Sequence, residues 1–195
     1  MSSKLTRDDL YSLEEYSERR DEYRKQIMAH KRDRHVELGD HLMMSFEDRE
    51  LMKYQIQEML RAEKIFDADG INEELDAYNP LIPDGTNWKA TMLIQFPDVS
   101  ERQQQLKRLI GIEDKVWVQV AGHDKVYAIA DEDLERDTEE KTSAVHFMRF
   151  ELSAEMISAV KGGATISMGV EHENYYAIVD PVPDNIRDSL ASDLN

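Results

Sequence analysis

The sequence predicts an α+β fold in which N-terminal helices and a β-hairpin pack on a mostly antiparallel sheet carrying two further helices. Three observations carry that expectation. Up to about residue 78 the apolar residues recur mainly at helical spacing. From about residue 88 they alternate with period two in six segments. Several of these segments are joined by turns too short for the crossovers that parallel strands need. The 195 residues suit a single domain, expected over 1–180, with an acidic flexible tail over 181–195.

Charge and cysteine content narrow the chemistry. A formal net charge of −17 argues against nucleic acid and anionic membranes as partners, since clustered Lys and Arg recognise both. The chain has no cysteine, which removes disulfides, thiolate metal sites and thiol nucleophiles. The opening MSSKLTRDDL lacks the apolar core of a signal peptide, and no apolar run approaches the roughly 20 residues that span a bilayer. A cytoplasmic location is therefore expected.

The elements follow in order. Thr6, Asp8 and Asp9 read as the start of a helix over about 8–30, a long polar arm able to protrude. Its narrow apolar stripe is Leu10, Leu13, Tyr16, Tyr23, Ile27 and Met28, a surface suited to homodimerisation. Residues 34–46 read as a hairpin around Gly39-Asp40. A strong helix is expected over about 48–66, with Gln55 and Glu63 inside its apolar half. A short helix over 69–78 precedes the loop NPLIPDGTN, whose two prolines stop regular structure. WKATMLIQF, KVWVQVAG, KVYAIAD, TSAVHFMRFEL, ATISMGVEH and NYYAIVD read as strands, with helices at 98–110 and 153–161.

Candidate chemistry centres on HKRDRHVELGDH, residues 30–41. With a two-residue turn at Gly39-Asp40, His35 and His41 point to opposite faces and cannot share a metal. With a three-residue loop over 38–40, His35, Glu37 and His41 share a face, as two histidines and a carboxylate suited to zinc or non-haem iron. Glu63 is the second candidate, because a carboxylate in an apolar helix half needs a cation or donors nearby. Glu58, with Arg61 beside it, is the next carboxylate. His146 alternates with Met148, Phe150 and Leu152 and reads as a satisfied core histidine, whereas Arg149 on the opposite face is expected in a salt bridge. No nucleotide-binding, hydrolase or di-iron motif is present.

The stretches HVELGDHLMMSFEDRELMKYQIQEMLRAEKI, NPLIPDGTNWKATMLIQFPD, VWVQVAG and EKTSAVHFMRFEL together resemble the bacterial domain-of-unknown-function family 3501. The similarity runs over about 5–178, with YQIQEMLRAEK and NPLIPDGTN as its most specific parts. The resemblance implies a gene neighbourhood of rubrerythrin-like and iron–sulfur proteins, and hence a redox or oxidative-stress role; it supplies no catalytic residues.

Three readings follow. One is an accessory or binding protein of a redox system, holding iron or zinc through His35, Glu37, His41 and Glu63. Another is an enzyme with Glu58 or Glu63 as general base and Arg61 binding an acidic substrate, in a cleft between the helical half and the sheet that NPLIPDGTN closes over. The third is a dimerisation or docking module built on the tyrosine-bearing helix.

Overall fold

The computed structural model describes residues 4–134, 136, 138 and 140–195. Its first part is helical: α1 (Leu13–Arg32), α2 (Arg49–Glu63) and α3 (Ala68–Tyr78). The hairpin β1 (His35–Leu38) and β2 (Leu42–Glu47) lies between α1 and α2 in the chain. The second part holds β3 (Asn87–Ile94), α4 (Val99–Arg108), β4 (Val116–Val120), β5 (Val126–Tyr127), β6 (Ile129–Ala130) and β7 (Val145–Glu151). It closes with α5 (Ala154–Lys161), β8 (Ile166–His172), β9 (Tyr175–Val179) and α6 (Asp184–Ala191). Among the described residues no helix is long and apolar enough to cross a membrane.

The fold is α+β, but the strands form two sheets rather than one. Their orders are β1-β2-β3-β7-β6 and β5-β4-β8-β9, with antiparallel neighbours throughout. The segment KVYAIAD is shared between them: Tyr127 pairs with Trp117 in the smaller sheet, and Ile129 pairs with Arg149 in the larger. Period-two alternation decides the packing. Leu42, Met44 and Phe46 of β2, Trp88, Ala90, Met92 and Ile94 of β3, and Met148 and Phe150 of β7 all enter one core with Val116, Val118, Ile166, Met168 and Val170 of the other sheet. A separate apolar cluster joins the three N-terminal helices through Tyr16, Ile27, Leu51, Ile56, Leu60 and Leu75.

Both registers weighed for the hairpin are corrected. Leu38 pairs with Leu42 and His35 with Ser45, so the turn is Gly39, Asp40 and His41. This register puts Val36, Leu38, Leu42 and Met44 on one face, which is the face that the core buries. The Tyr175 hydroxyl from β9 fixes the turn, donating to the Leu38 carbonyl at 2.6 Å and accepting the His41 amide at 3.1 Å. Gly39 has φ +72°, and an added Cβ would meet that hydroxyl at 2.6 Å.

The helical arm and the tail also differ from expectation. The Thr6 capping box closes only a 3-10 turn over Arg7–Asp9, and Ser12 caps α1. The arm does not protrude: Tyr16 and Tyr23 are buried, with their hydroxyls donating to Glu58 and Glu50. The stretch expected as a flexible tail is ordered as α6. Val182, Ile186, Leu190 and Leu194 recur every fourth residue and are all buried in the main core. Trp88 donates its indole N–H to the Leu190 carbonyl at 2.9 Å.

Arg34 locks this arrangement. Wholly buried, it donates to the Phe46 and Glu47 carbonyls, to Ser189, and to both oxygens of Asp193. A buried guanidinium with every edge committed holds the end of β2 and the C-terminal helix in one geometry.

Candidate functional site

The side chains singled out from sequence do not assemble. His35 and Glu37 share the outer face of the larger sheet, but His41 sits in the turn, stacked on Phe96 with ring centroids 4.0 Å apart. Its Nδ1 lies 3.0 Å from the Gln95 carbonyl and so donates to it. Glu63 is the last residue of α2 and is exposed, because Lys64 turns left-handed at φ 56° and ends the helix before that face reaches the core. Among the described residues no three His, Asp or Glu side chains are grouped to hold a metal ion. Burial, and then the charge of Lys31, push the His35 pKa below its ordinary value.

Glu58 fastens two helices. It accepts both a two-pronged contact from Arg20, at 2.7 Å on each oxygen, and the Tyr16 hydroxyl at 2.7 Å. The Arg20 hydrogen bonds, against the cost of burial, hold its pKa at about 2. A carboxylate so committed is a poor proton acceptor, and Arg61 beside it is exposed. The buried polar residue of α2 is Gln57, not Gln55 or Glu63; it takes the Tyr11 amide at 2.6 Å. His146 is the satisfied core histidine expected from its strand face, held by Asp131 at 2.6 Å and Thr142 at 2.8 Å.

The site that the fold does build lies between α3 and the outer face of the larger sheet. It is a cleft of about 670 Å³, within the range of small-molecule pockets. Tyr78, Pro80 and Leu81 form one wall, and Phe147 and Ile129 contribute apolar surface on the other. The Pro-containing loop thus supplies part of the cleft. A neighbouring hollow shares Glu47, Tyr78, Leu81 and Phe147 and extends toward Lys31, Gln55 and Thr91.

A ladder of three charged residues crosses the cleft. Glu47 of β2 stands opposite Lys89 of β3, which stands opposite Arg149 of β7. Directly opposed side chains have Cβ atoms about 5 Å apart. Burial raises the Glu47 pKa, and the hydrogen bond from Thr91 Oγ1 at 2.7 Å offsets this only in part. Burial likewise lowers the Lys89 pKa, while its Nζ donates to the Pro80 carbonyl. Arg149 is neutralised in place, as it grips Glu132 through Nε at 2.8 Å and Nη2 at 2.9 Å and also donates to Glu151. Neighbouring Asp76, Glu132 and Asp133 give the cleft an excess of carboxylates.

Sequence reasoning missed Glu47 and Lys89. Glu47 follows the core residue Phe46 at the end of β2 and Lys89 lies between the core residues Trp88 and Ala90 of β3, so both fall on the outer face of a strand; only the pairing of β2 with β3 brings them together.

The chain matches the model of the family described as "Protein of unknown function (DUF3501)" over residues 4–194. It is similar to a crystal structure of a novel protein of unknown function from Burkholderia pseudomallei K96243, with a TM-score of 0.93 and 50% sequence identity. That likeness covers 98% of this chain and 100% of the other. No curated protein matches.

Proposed function

We propose, for a chain that belongs to this family of unknown function, that the cleft binds a small uncharged molecule and that Glu47 and Lys89 exchange protons with it. The observation that carries this reading is the ladder Glu47–Lys89–Arg149 inside a cleft of pocket size. Burial disfavours the charged form of both groups, raising the Glu47 pKa and lowering that of Lys89, which shifts the two toward a proton donor and a proton acceptor. Phe147, Ile129, Leu81 and Tyr78 suit an apolar body. The carboxylates on the rim and the committed Arg149 select against anions.

The redox setting and the rubrerythrin-like or iron–sulfur partners that the resemblance implies belong to the same proposal, and what supports them is the resemblance alone. They bear on which molecule enters the cleft.

A thermal-shift screen of small neutral compounds tests the reading, run on the native protein and on Ala77→Trp, which fills the cleft from an exposed position of α3. Compounds that stabilise the native protein and lose their effect in the variant support it. Stabilisation that is equal in both would place binding elsewhere and refute it.

A further inference from the structure

We infer that the chain cuts its own backbone between Lys141 and Thr142, with the Thr142 hydroxyl attacking the carbonyl that precedes it. The inference is independent of the cleft as a ligand site.

Three sets of contacts point to this chemistry. First, the bonds that satisfy His146 put a nucleophile, a base and an acid in series. Nε2 lies 2.8 Å from Thr142 Oγ1, and Nδ1 lies 2.6 Å from Asp131 Oδ2. Nδ1 donates to the Asp131 carboxylate, which leaves the Nε2 lone pair facing the hydroxyl. Asp131 is a positioning residue and is itself pinned: its other oxygen accepts the Phe147 amide at 3.0 Å and Arg136 at 3.2 Å, and its backbone is held left-handed at φ 51°. Second, the Lys141 carbonyl oxygen accepts the Thr138 amide at 3.0 Å and the Thr138 hydroxyl at 2.9 Å. Two donors at such distances form a cradle for an oxyanion. Third, Thr142 is 1% exposed and His146 is wholly buried, so an outside substrate does not reach the hydroxyl, whereas Thr138 and Lys141 are exposed. The carbonyl within reach is the one before Thr142, which Oγ1 attacks through a five-membered ring, and water meets it from the turn.

The step balances with water as the sole co-reactant. Thr142 Oγ1 gives its proton to His146 Nε2 and forms a C–O bond with the Lys141 carbonyl carbon, whose π pair moves to the carbonyl oxygen. Thr138 N–H and O–H receive that charge, while the Ser143 carbonyl, 3.1 Å from Nε2, accepts the proton that the imidazolium now carries. The C=O bond re-forms, the C–N bond breaks, and the nitrogen takes the proton from His146. The product is an ester between Lys141 and the Thr142 oxygen, with a free amine on Thr142. Water adds to the ester and its C–O bond breaks, giving a carboxyl on Lys141 and the hydroxyl of Thr142. The cut falls between β6 and β7, the strands that carry Ile129 and Phe147 of the cleft.

Mass spectrometry of the full chain tests the inference. The protein is aged in the native state and then denatured, because β7 stays paired with β3 after a cut. Fragments 1–141 and 142–195 are expected, the second with a free Thr142 amine. Hydroxylamine, which attacks esters, should speed their appearance roughly tenfold, and the chain has no Asn-Gly sequence for it to cut instead. Thr138→Ala should slow cleavage by about a hundredfold. Thr142→Val, close in shape but without a hydroxyl, should abolish cleavage, and Thr142→Ser should retain it. A chain that stays whole with and without hydroxylamine overturns the inference. The same two fragments from Thr142→Val, or equally fast cleavage of native protein kept unfolded in urea, also overturn it, since neither depends on the hydroxyl held by His146.

Discussion

Lys89 and Glu47 face each other across neighbouring strands, and burial moves their pKa values in opposite directions, each toward its neutral form. Two groups that could have formed an ordinary surface ion pair are instead kept under α3 and the Pro-containing loop. Such an arrangement favours chemistry at a cost in stability.

That cost is measurable. The folded pKa of Glu47 lies above its ordinary 4.5, so the folded protein holds this proton longer and loses stability as pH rises from 4.5 to the folded value. Glu47→Gln is therefore expected to raise Tm at pH 8 and to leave it nearly unchanged at pH 4. For Lys89 the folded pKa lies below 10.5, so stability falls as pH drops from 10.5 to the folded value. Lys89→Met should raise Tm at neutral pH. Thermal melts of both variants across pH check the signs.

The buried Arg34 offers a second test. Removing it leaves Asp193 and Asp48 without their guanidinium, so Arg34→Met should cost about 3–5 kcal/mol in urea denaturation. Burial holds the Asp193 pKa up at about 6 even beside Arg34. Without Arg34 this carboxyl protonates more readily still, and the loss should be smaller at pH 5 than at pH 8. Arg34→Met combined with Asp193→Leu should recover part of it.

Glu58 behaves in the opposite sense. Its folded pKa of about 2 lies below the ordinary 4.5, so its contribution is complete above 4.5 and disappears as pH falls toward 2. The pair with Arg20 is about a quarter exposed, which limits the effect. Glu58→Gln is expected to cost about 1–2 kcal/mol at pH 7 and roughly half as much at pH 3. Chemical denaturation at the two pH values distinguishes this structural role from a catalytic one.

The histidine-rich hairpin yields a fourth expectation. Because His41 is turned onto Phe96 while His35 lies on the sheet face, replacing both with alanine should leave the metal content of untagged protein unchanged. Elemental analysis decides the point, and loss of stoichiometric iron or zinc would contradict this placement.

Much of the frame was legible in local pattern. Alternation put Ala90, Met92, Met148 and Phe150 on core faces. Features that depend on distant partners were not. The turn of the hairpin depends on Tyr175 from another sheet, and the burial of Tyr16 depends on Glu58 of a neighbouring helix. The C-terminal helix was hidden by composition, since acidic and small residues surround the four-residue spacing of Val182, Ile186, Leu190 and Leu194. Glu47, Lys89 and Arg149 come from three strands distant in the chain, and no spacing within one segment announces them.

The most direct measurement is a crystal structure of the protein soaked with a mixture of small neutral aromatic compounds. The account predicts a ligand in the cleft, its ring against Phe147 and a polar atom within hydrogen-bond distance of Lys89 Nζ or the Glu47 carboxyl. Ordered compounds bound elsewhere, with the cleft filled only by water, would contradict it.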